Sequence, residues 1–404
     1  MPGPLPHAKH HPRENAVQFA LNADQIAVQD LVRRFANEKV ASRANEIDRL
    51  GEYPQDMFDM LKELELFRLP FPEAYGGMGS VLSAAVAAEE LCRVCYNTAY
   101  VMIAQWGPFG AIHHGGTDEQ RLRFLPGLCS GDLRASIAVT EPQNGSDVAG
   151  IKSRARAVSG GYLLNGAKIW CTNAAVADFI VVGAKLGDDD SRHAVNLFIV
   201  QKGTSGLTIG PKEDKLGARG LPSCPLFFED VFVPEENRLG GSDGGGFKAV
   251  MAGFNEFRPI IGARAVGLAQ GAIDHAIQFV TNRYTFGTRV SDNQGIRWML
   301  ADMAMQTEAA RILVYSAAAM VDSGERGEKL AQQAAMAKAF ATDVAMKVTT
   351  DAVQLFGAAG ISNDSPINRY MRDAKVTQIV EGTNQIQRTI ISNVMLGRPE
   401  KKRA

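Results

Sequence analysis

From Asn22 to about Arg134 the apolar residues recur at helical spacing. In the segment ALNADQIAVQDLVRRFANEKV, Asn22 or Asp24 can cap a helix, and Ile26, Val28, Leu31, Val32 and Phe35 follow at that spacing. Pro70, Pro72 and the Gly76-Gly77-Met78-Gly79 stretch mark a loop, after which residues 80–107 predict one mostly apolar, buried helix. The period changes after Thr140. Small or apolar residues alternate with Lys152, Arg154 and Arg156 between Ile151 and Val158, which predicts a half-solvated strand, and Ser159-Gly160-Gly161 predicts a hairpin turn into the next one. Residues 179–186, 194–201 and 224–233 continue the strand signal, with the acidic LGDDDS segment as a solvated turn. From about Gly246 the helical period returns. Leu300, Met303, Ala304, Ala310, Leu313, Val314 and Ala317 are expected on one apolar stripe, VDSGERG interrupts it, and a further long helix runs to about Phe356. Helices, then strands, then helices predict a β module between two α modules, an α+β chain. The expected division is an arm over 1–21, a helical domain over 22–135, a central β domain over 136–245, a second helical domain over 246–397 and a tail over 398–404. No repeat of 20–50 residues is visible, which argues against a solenoid.

Composition narrows the function classes. A chain of 404 residues is long enough for two or three domains and for cores that need no disulfide or metal. Its 43 basic and 44 acidic residues leave a net charge of −1, without the basic excess of a nucleic-acid or acidic-membrane binder. Apolar runs stay too short for a membrane-spanning helix. Five cysteines, Cys92, Cys95, Cys129, Cys171 and Cys224, are too few and too odd for a disulfide framework, and a cytoplasmic location is expected. The N-terminal MPGPLPHAKHHPREN has no apolar core and reads as a polar arm, with His7, His10 and His11 lacking the partners of a metal site. The basic tail GRPEKKRA carries no SKL-type address.

Several motifs are rejected on context. There is neither a P-loop nor a GxGxxG fingerprint. Gly240-Gly241-Ser242-Asp243-Gly244 fits the GxSxG pattern but sits in a Gly-rich linker, not between a strand and a helix of an alternating α/β chain. Cys92 and Cys95 lie in an apolar helical segment with no second pair, and His113-His114 lack a carboxylate at metal spacing, so no metal is expected.

Two stretches are left that composition does not explain: Ile137-Ala-Val-Thr-Glu-Pro-Gln-Asn-Gly-Ser-Asp147, followed by Ile169-Trp170-Cys171-Thr172-Asn173, and the run from Arg372-Asp373 to Glu381-Gly382-Thr383-Asn384-Gln385-Ile386-Gln387. Glu381 before Gly382 is, by itself, also what a helix end looks like. Together these stretches resemble the acyl-CoA dehydrogenases. TEPQNGSD is similar to that family's TEP-x-x-GSD signature, WCTN to its W-[IV]-T-N strand, and Arg283-Tyr284-Thr285-Phe286-Gly287 with Gln294 to its R-x-x-FG…Q segment. Gln354-Leu355-Phe356-Gly357 and the Arg372–Gln387 run follow in the expected order, and the resemblance spans about Asp24 to Leu396. It implies an N-terminal helical domain, a central β-barrel or sandwich domain and a C-terminal four-helix bundle.

The chemistry implied is FAD-dependent α,β-dehydrogenation of an acyl-CoA thioester to the 2-enoyl-CoA. A base takes the α-proton while the β-hydrogen leaves as hydride to the flavin N5. The α-C–H is a weak acid, so the thioester carbonyl needs fixed donors and the base a dry site that raises its pKa. By the resemblance the base is Glu381, with its own backbone N–H as one carbonyl donor. The family's second base position falls on Phe257, which cannot serve, and Glu256 is one residue and about 100° of helix away. Ile137, Val139, Thr140 and Ser146 are implied around the flavin, with Trp170 and Thr172 against its ring system. Arg283, Thr285, Phe286, Gln294, Gln354 and Gly357 are implied around its diphosphate and adenine, some of them across a subunit interface, and Thr383 and Gln385 complete the set. Ala358 stands where the pattern has a second glycine. Ser146, Asn255, Arg258 and Gly382 fall on substrate-side positions, Asn255 in place of a more usual Asp.

A homotetramer passing electrons to an electron-transfer flavoprotein is implied as well. The competing readings are a flavin oxidase or monooxygenase on the same fold, a dehydrogenase for a ring-bearing or dicarboxylic acyl-CoA, and a non-catalytic acyl-CoA binder, against which Glu381 argues. The acyl pocket is implied along Tyr96–Gly107, where Ala99, Met102, Ile103 and Trp106 are apolar or small. They predict a hydrophobic acyl chain of medium size, or a branched or ring-bearing one, and make glutaryl-CoA a poor substrate unless another arginine holds its far carboxylate.

Overall fold

The computed structural model describes residues 20–240 and 246–398. The three arm histidines and most of the Gly240–Gly244 motif fall outside them. Asn22 caps the first helix, α1 (Ala23–Phe35), in a reciprocal box with Gln25. Then come α2 (Ala44–Leu50), α3 (Gln55–Glu63), α4 (Val81–Cys92), α5 (Tyr96–Ile103), α6 (Trp106–Gly115) and α7 (Asp118–Ser130).

The single helix expected over 80–107 is thus broken, with Cys92 ending α4 and Cys95 capping α5. The break has a cause. Tyr370 Oη donates to the Arg93 carbonyl at 2.6 Å and Arg369 donates to the Val94 carbonyl at 3.2 Å, so the freed backbone acceptors are paired. At a second interruption, Gln105 donates to the Leu133 carbonyl and accepts from Ala135 N–H, tying the helix to the first strand.

The strands are β1 (Ala135–Ala138), β2 (Arg154–Val158), β3 (Gly161–Thr172), β4 (Phe179–Leu186), β5 (Val195–Gln201), β6 (Leu207–Ile209) and β7 (Ser223–Pro234). They form one curled mixed sheet in the order β1-β4-β2-β3-β7-β6, with β5 on β4. β4 lies parallel to β1 and β2, and the other pairings are antiparallel. The apolar runs in β4 and β5 follow from burial on both faces. Ile180, Val182, Phe198 and Val200 point into the sheet's own core, while Phe179, Val181, Leu197 and Ile199 join the larger helical core. β2 starts at Arg154, three residues later than the alternation predicts, because the Glu141 side chain takes the backbone N–H groups of Lys152 and Ser153.

The C-terminal part is α8 (Gly246–Asn282), the β8–β9 ribbon (Tyr284–Thr285 with Thr288–Arg289), α9 (Gln294–Asp322), α10 (Gly327–Phe356), α11 (Ala358–Ile361), α12 (Ile367–Ile379) and α13 (Asn384–Leu396). Gly110 of α6 and Gly253 of α8 let those two helices approach so closely that a Cβ on Gly110 would lie 3.0 Å from the Gly253 Cα. On α9 the buried seam is Met303, Thr307, Ala310, Val314, Ala317 and Val321. Ala304, expected on it, is exposed, one residue off a seam that steps by alternate threes and fours. Among the described residues no helix is long and apolar enough to cross a membrane.

All three parts meet at one junction. Arg372 of α12 forms an ion pair with Asp48 of α2 and donates to the Leu216 carbonyl at 2.9 Å, while Asp373 accepts the Ala218 N–H at 2.7 Å. Burial lifts the Asp373 carboxyl to about 7. A folded-state value above the unfolded one means that the folded chain binds this proton more tightly, so stability falls as pH rises from about 4 through about 7. Asp373→Asn keeps an acceptor and removes the charge. It is expected to raise Tm more at about pH 8 than at about pH 5, and a gain independent of pH would count against this account.

Candidate functional site

Glu381 sits in the turn between α12 and α13 with φ 54°, and Gly382 follows at φ 89°. A left-handed non-glycine residue is strained by about 1–3 kcal/mol and persists only where its surroundings fix it. They do so here. Thr383 caps α13 by accepting the Ile386 N–H, and the Gly382 carbonyl accepts from Gln387 Nε2 at 2.8 Å and from Lys338 Nζ at 2.9 Å. Lys338, fully buried on α10, also donates to Asn384 Oδ1, so the whole turn is pinned from beneath.

Three buried basic side chains act on the Glu381 carboxylate. Arg264 Nη2 on α8 lies 3.5 Å from Oε1, and Arg258 and Lys338 act on it electrostatically. A quarter of the Glu381 side chain stays open. Burial raises its carboxyl above the ordinary range, with Arg264, Lys338 and Arg258 opposing the rise. The same burial pushes the Lys338 ammonium down to about 7 and Arg258 down to about 10. Arg258 donates to Asn255 Oδ1 at 2.6 Å, one turn back on α8. Glu256 is engaged elsewhere: His114 Nε2 lies 2.8 Å and Arg326 3.0 Å from its oxygens. A carboxylate therefore does lie beside the His113-His114 pair, but no group of three or more metal-ligating side chains occurs among the described residues.

A second cluster lies on the sheet. Lys168, at the centre of β3, donates to Glu141 Oε1 at 2.7 Å and to the Val139 carbonyl at 3.2 Å, with both side chains of the ion pair almost wholly buried. Glu141 also accepts from Lys152 N–H, Ser153 N–H and Ser153 Oγ, and the Lys168 ammonium first, with these donors behind it, holds its carboxyl below the usual range against the effect of burial. This pair fixes the segment that carries Ile137, Val139 and Thr140, and the Ile169 N–H donates to the Thr140 carbonyl at 3.0 Å. β3 bulges between Lys168 and Cys171, and at the bulge Trp170 takes φ 59° and stands 53% exposed. Thr172 is steadied by Ser136 Oγ on its carbonyl and by Ser223 Oγ on its hydroxyl. Ser146 is exposed on the loop beyond, where a Cβ on Gly145 would meet nothing within 4 Å. The exposed indole of Trp170 offers a free face to a flat aromatic ring system.

Arg283 leads into the exposed β8–β9 ribbon, which carries Thr285 and, in its turn, Phe286, with Gln294 at the start of α9 and also exposed. Phe286 is fully exposed at φ 51°. Phe279 stacks on Phe356 at 4.2 Å, and both line with Arg283 a cleft of about 330 Å³, to which Gln354 and Gly357 do not contribute. A Cβ on Gly357 would meet nothing within 4 Å, so the backbone is accessible there. Thr383 is half-buried and Gln385 exposed, whereas Ala99 and Ile103 are buried inside α5. Motif reading missed Arg264 and Lys338. Each is a single charge in a helix, and the signal was its apolar surroundings, GARAVGLAQ and AMAKAFA, where a solvated cation would be out of place.

Three family models match in chain order: acyl-CoA dehydrogenase N-terminal domain over 22–132, middle domain over 136–231 and C-terminal domain over 244–396. An acyl-CoA dehydrogenase of Bacillus subtilis is 41% identical over 376 residues, covering 93% of this chain and 98% of its own. The butyryl-CoA dehydrogenase structure from Megasphaera elsdenii superposes with a TM-score of 0.90 at 38% identity, covering 94% of this chain and all of its own. A chain from a structural study of the electron transferring flavoprotein of Acidaminococcus fermentans also reaches 0.90, at 39% identity and the same coverage.

Proposed function

The chain belongs to the acyl-CoA dehydrogenase family, an FAD-dependent family of oxidoreductases acting on CH–CH groups, and on that premise we propose that Glu381 is the base that removes the α-proton of an acyl-CoA thioester. The observation that carries this reading is a carboxylate held in a strained, pinned turn, lifted by burial and kept from full neutralisation by three basic side chains. Such a group is poised to be ionised before the reaction and to hold a proton after it. Its own backbone N–H is the proposed donor to the thioester carbonyl. FAD supplies the acceptor for the β-hydrogen, which leaves as hydride. Ile137, Val139, Thr140, Ser146, Trp170 and Thr172 are proposed to hold the flavin's ring end, with Thr383 and Gln385 beside Glu381. Arg283, Thr285, Phe286, Gln294, Gln354 and Gly357 are proposed for its diphosphate and adenine end. Asn255, Arg258 and Gly382 are placed on the substrate side. The test of the class is anaerobic bleaching of the purified yellow protein over a panel of acyl-CoAs; a flavin that no acyl-CoA reduces sinks the reading.

We also propose a homotetramer that delivers electrons to an electron-transfer flavoprotein. Phe286, Trp298, Met305 and Ile361 leave large apolar surface uncovered on the C-terminal helices and ribbon, which supports assembly. Arg283→Ala is expected to lower both flavin content and tetramer population, since a guanidinium on a diphosphate makes strong charge-assisted hydrogen bonds. Unchanged FAD content and an unchanged sedimentation profile would remove Arg283 from the site.

A further inference from the structure

We propose that Arg264 recognises a carboxylate on the far part of the acyl group, so that the preferred substrate is the mono-CoA thioester of a dicarboxylic acid; this rests on reading Glu381 as the base. Arg264 is completely buried. Its guanidinium carbon lies 4.6 Å from the Tyr100 ring centre and 5.3 Å from that of Tyr96, so aromatic rings of α5 cover it. Its edge is a different matter. Nε and Nη1 have no acceptor, and the one carboxylate contact, Nη2 to Glu381, is long at 3.5 Å. Nearly all buried polar groups in folded proteins are paired, and a guanidinium left with bare N–H groups is among the costliest exceptions.

Glu381 cannot be the full partner, because a base locked in a close ion pair would lose the proton affinity that its role requires. Charge points the same way. Arg258 and Arg264 both act on this single carboxylate, and Arg258 Nε is likewise buried without an acceptor, so a second anion here would meet unanswered donors. A guanidinium edge matches the two oxygens of a carboxylate. The ring that covers it adds a donor: Tyr96 Oη is likewise buried without a partner. A purely alkyl acyl chain would answer none of these groups. The apolar residues of α5 alone predict a hydrophobic chain; Arg264, reaching in from α8, is the other arginine on which that expectation was conditional.

The experiment uses the flavin-loaded enzyme and acyl-CoAs matched in carbon number: glutaryl with pentanoyl, adipoyl with hexanoyl, pimeloyl with heptanoyl. Binding is read from the perturbed flavin spectrum in the Glu381→Gln background and turnover from anaerobic bleaching in the wild type. The wild type is expected to bleach faster with at least one dicarboxylic thioester than with its neutral match. Arg264→Met should raise Kd for that thioester by about 10²-fold relative to the neutral one, and Arg264→Lys should restore part of the difference. Flavin content and circular dichroism check that each variant folds. A wild type that favours every neutral chain, or an Arg264→Met change that weakens both members of a pair equally, overturns the proposal and leaves Arg264 as a counter-ion of Glu381. Failure of the base reading shows separately, as bleaching that survives Glu381→Gln.

Discussion

Glu381→Gln is expected to keep its flavin and bind acyl-CoA while reduction of that flavin by substrate slows by about 10² to 10⁴-fold or more, the range for loss of a positioned base. The amide preserves shape and the strained turn, which Lys338 and Gln387 hold through the Gly382 carbonyl and not through the side chain. What it loses is the ability to accept a proton. The wild-type rate should also rise with pH through the elevated value of Glu381, because only the ionised form can act as base, and that limb should vanish in the variant. Anaerobic stopped-flow bleaching measures both. A variant that bleaches at near the wild-type rate moves the base to another residue.

The second large effect concerns stability. Lys168→Met should lower stability by about 3–5 kcal/mol, because removing one member of a buried pair leaves the other as an uncompensated charge. Glu141 would keep its two backbone donors and the Ser153 hydroxyl, yet lose the cation paired with it. The Val139 carbonyl would lose a donor as well, so flavin content should fall together with Tm. Lys168→Met combined with Glu141→Gln should recover part of the loss, since the stranded charge is then gone. Thermal unfolding beside the flavin absorbance ratio decides the matter: an unchanged Tm in the single variant would mean that the pair contributes nothing net.

These two residues also mark what could be read from the chain alone. The strands at 179–186 and 224–233 were legible because burial of a strand writes a dense apolar run or an alternation into consecutive residues. Helix breaks were not, since the groups that capture the Arg93 and Val94 carbonyls, Tyr370 and Arg369, lie more than 270 positions away. The same distance rule divides the site. Glu381 and Trp170 belong to contiguous motifs, so the family resemblance pointed to them directly. Arg264 is 117 positions from Glu381 and Lys168 is 27 from Glu141, and their significance appears only once helix and strand bring charge to charge. Trp170's exposure was equally hidden, because it depends on a bulge that turns one residue of a strand to φ 59°.

The junction at Asp48, Leu216, Ala218, Arg372 and Asp373 bears on how such a chain can be recombined. Each of its three parts contributes to fastenings that close on groups from another, and Arg372 and Asp373 stand only a few residues before the proposed base. A chimera that swaps the sheet or the N-terminal helices for a relative's would have to carry the matching halves along. Where it does not, the misfit enters at the root of α12, and the helix that delivers Glu381 shifts with it. Exchange of whole segments among relatives is therefore constrained less by the active-site motifs than by this seam, and grafts that respect it should be the ones that retain both fold and flavin.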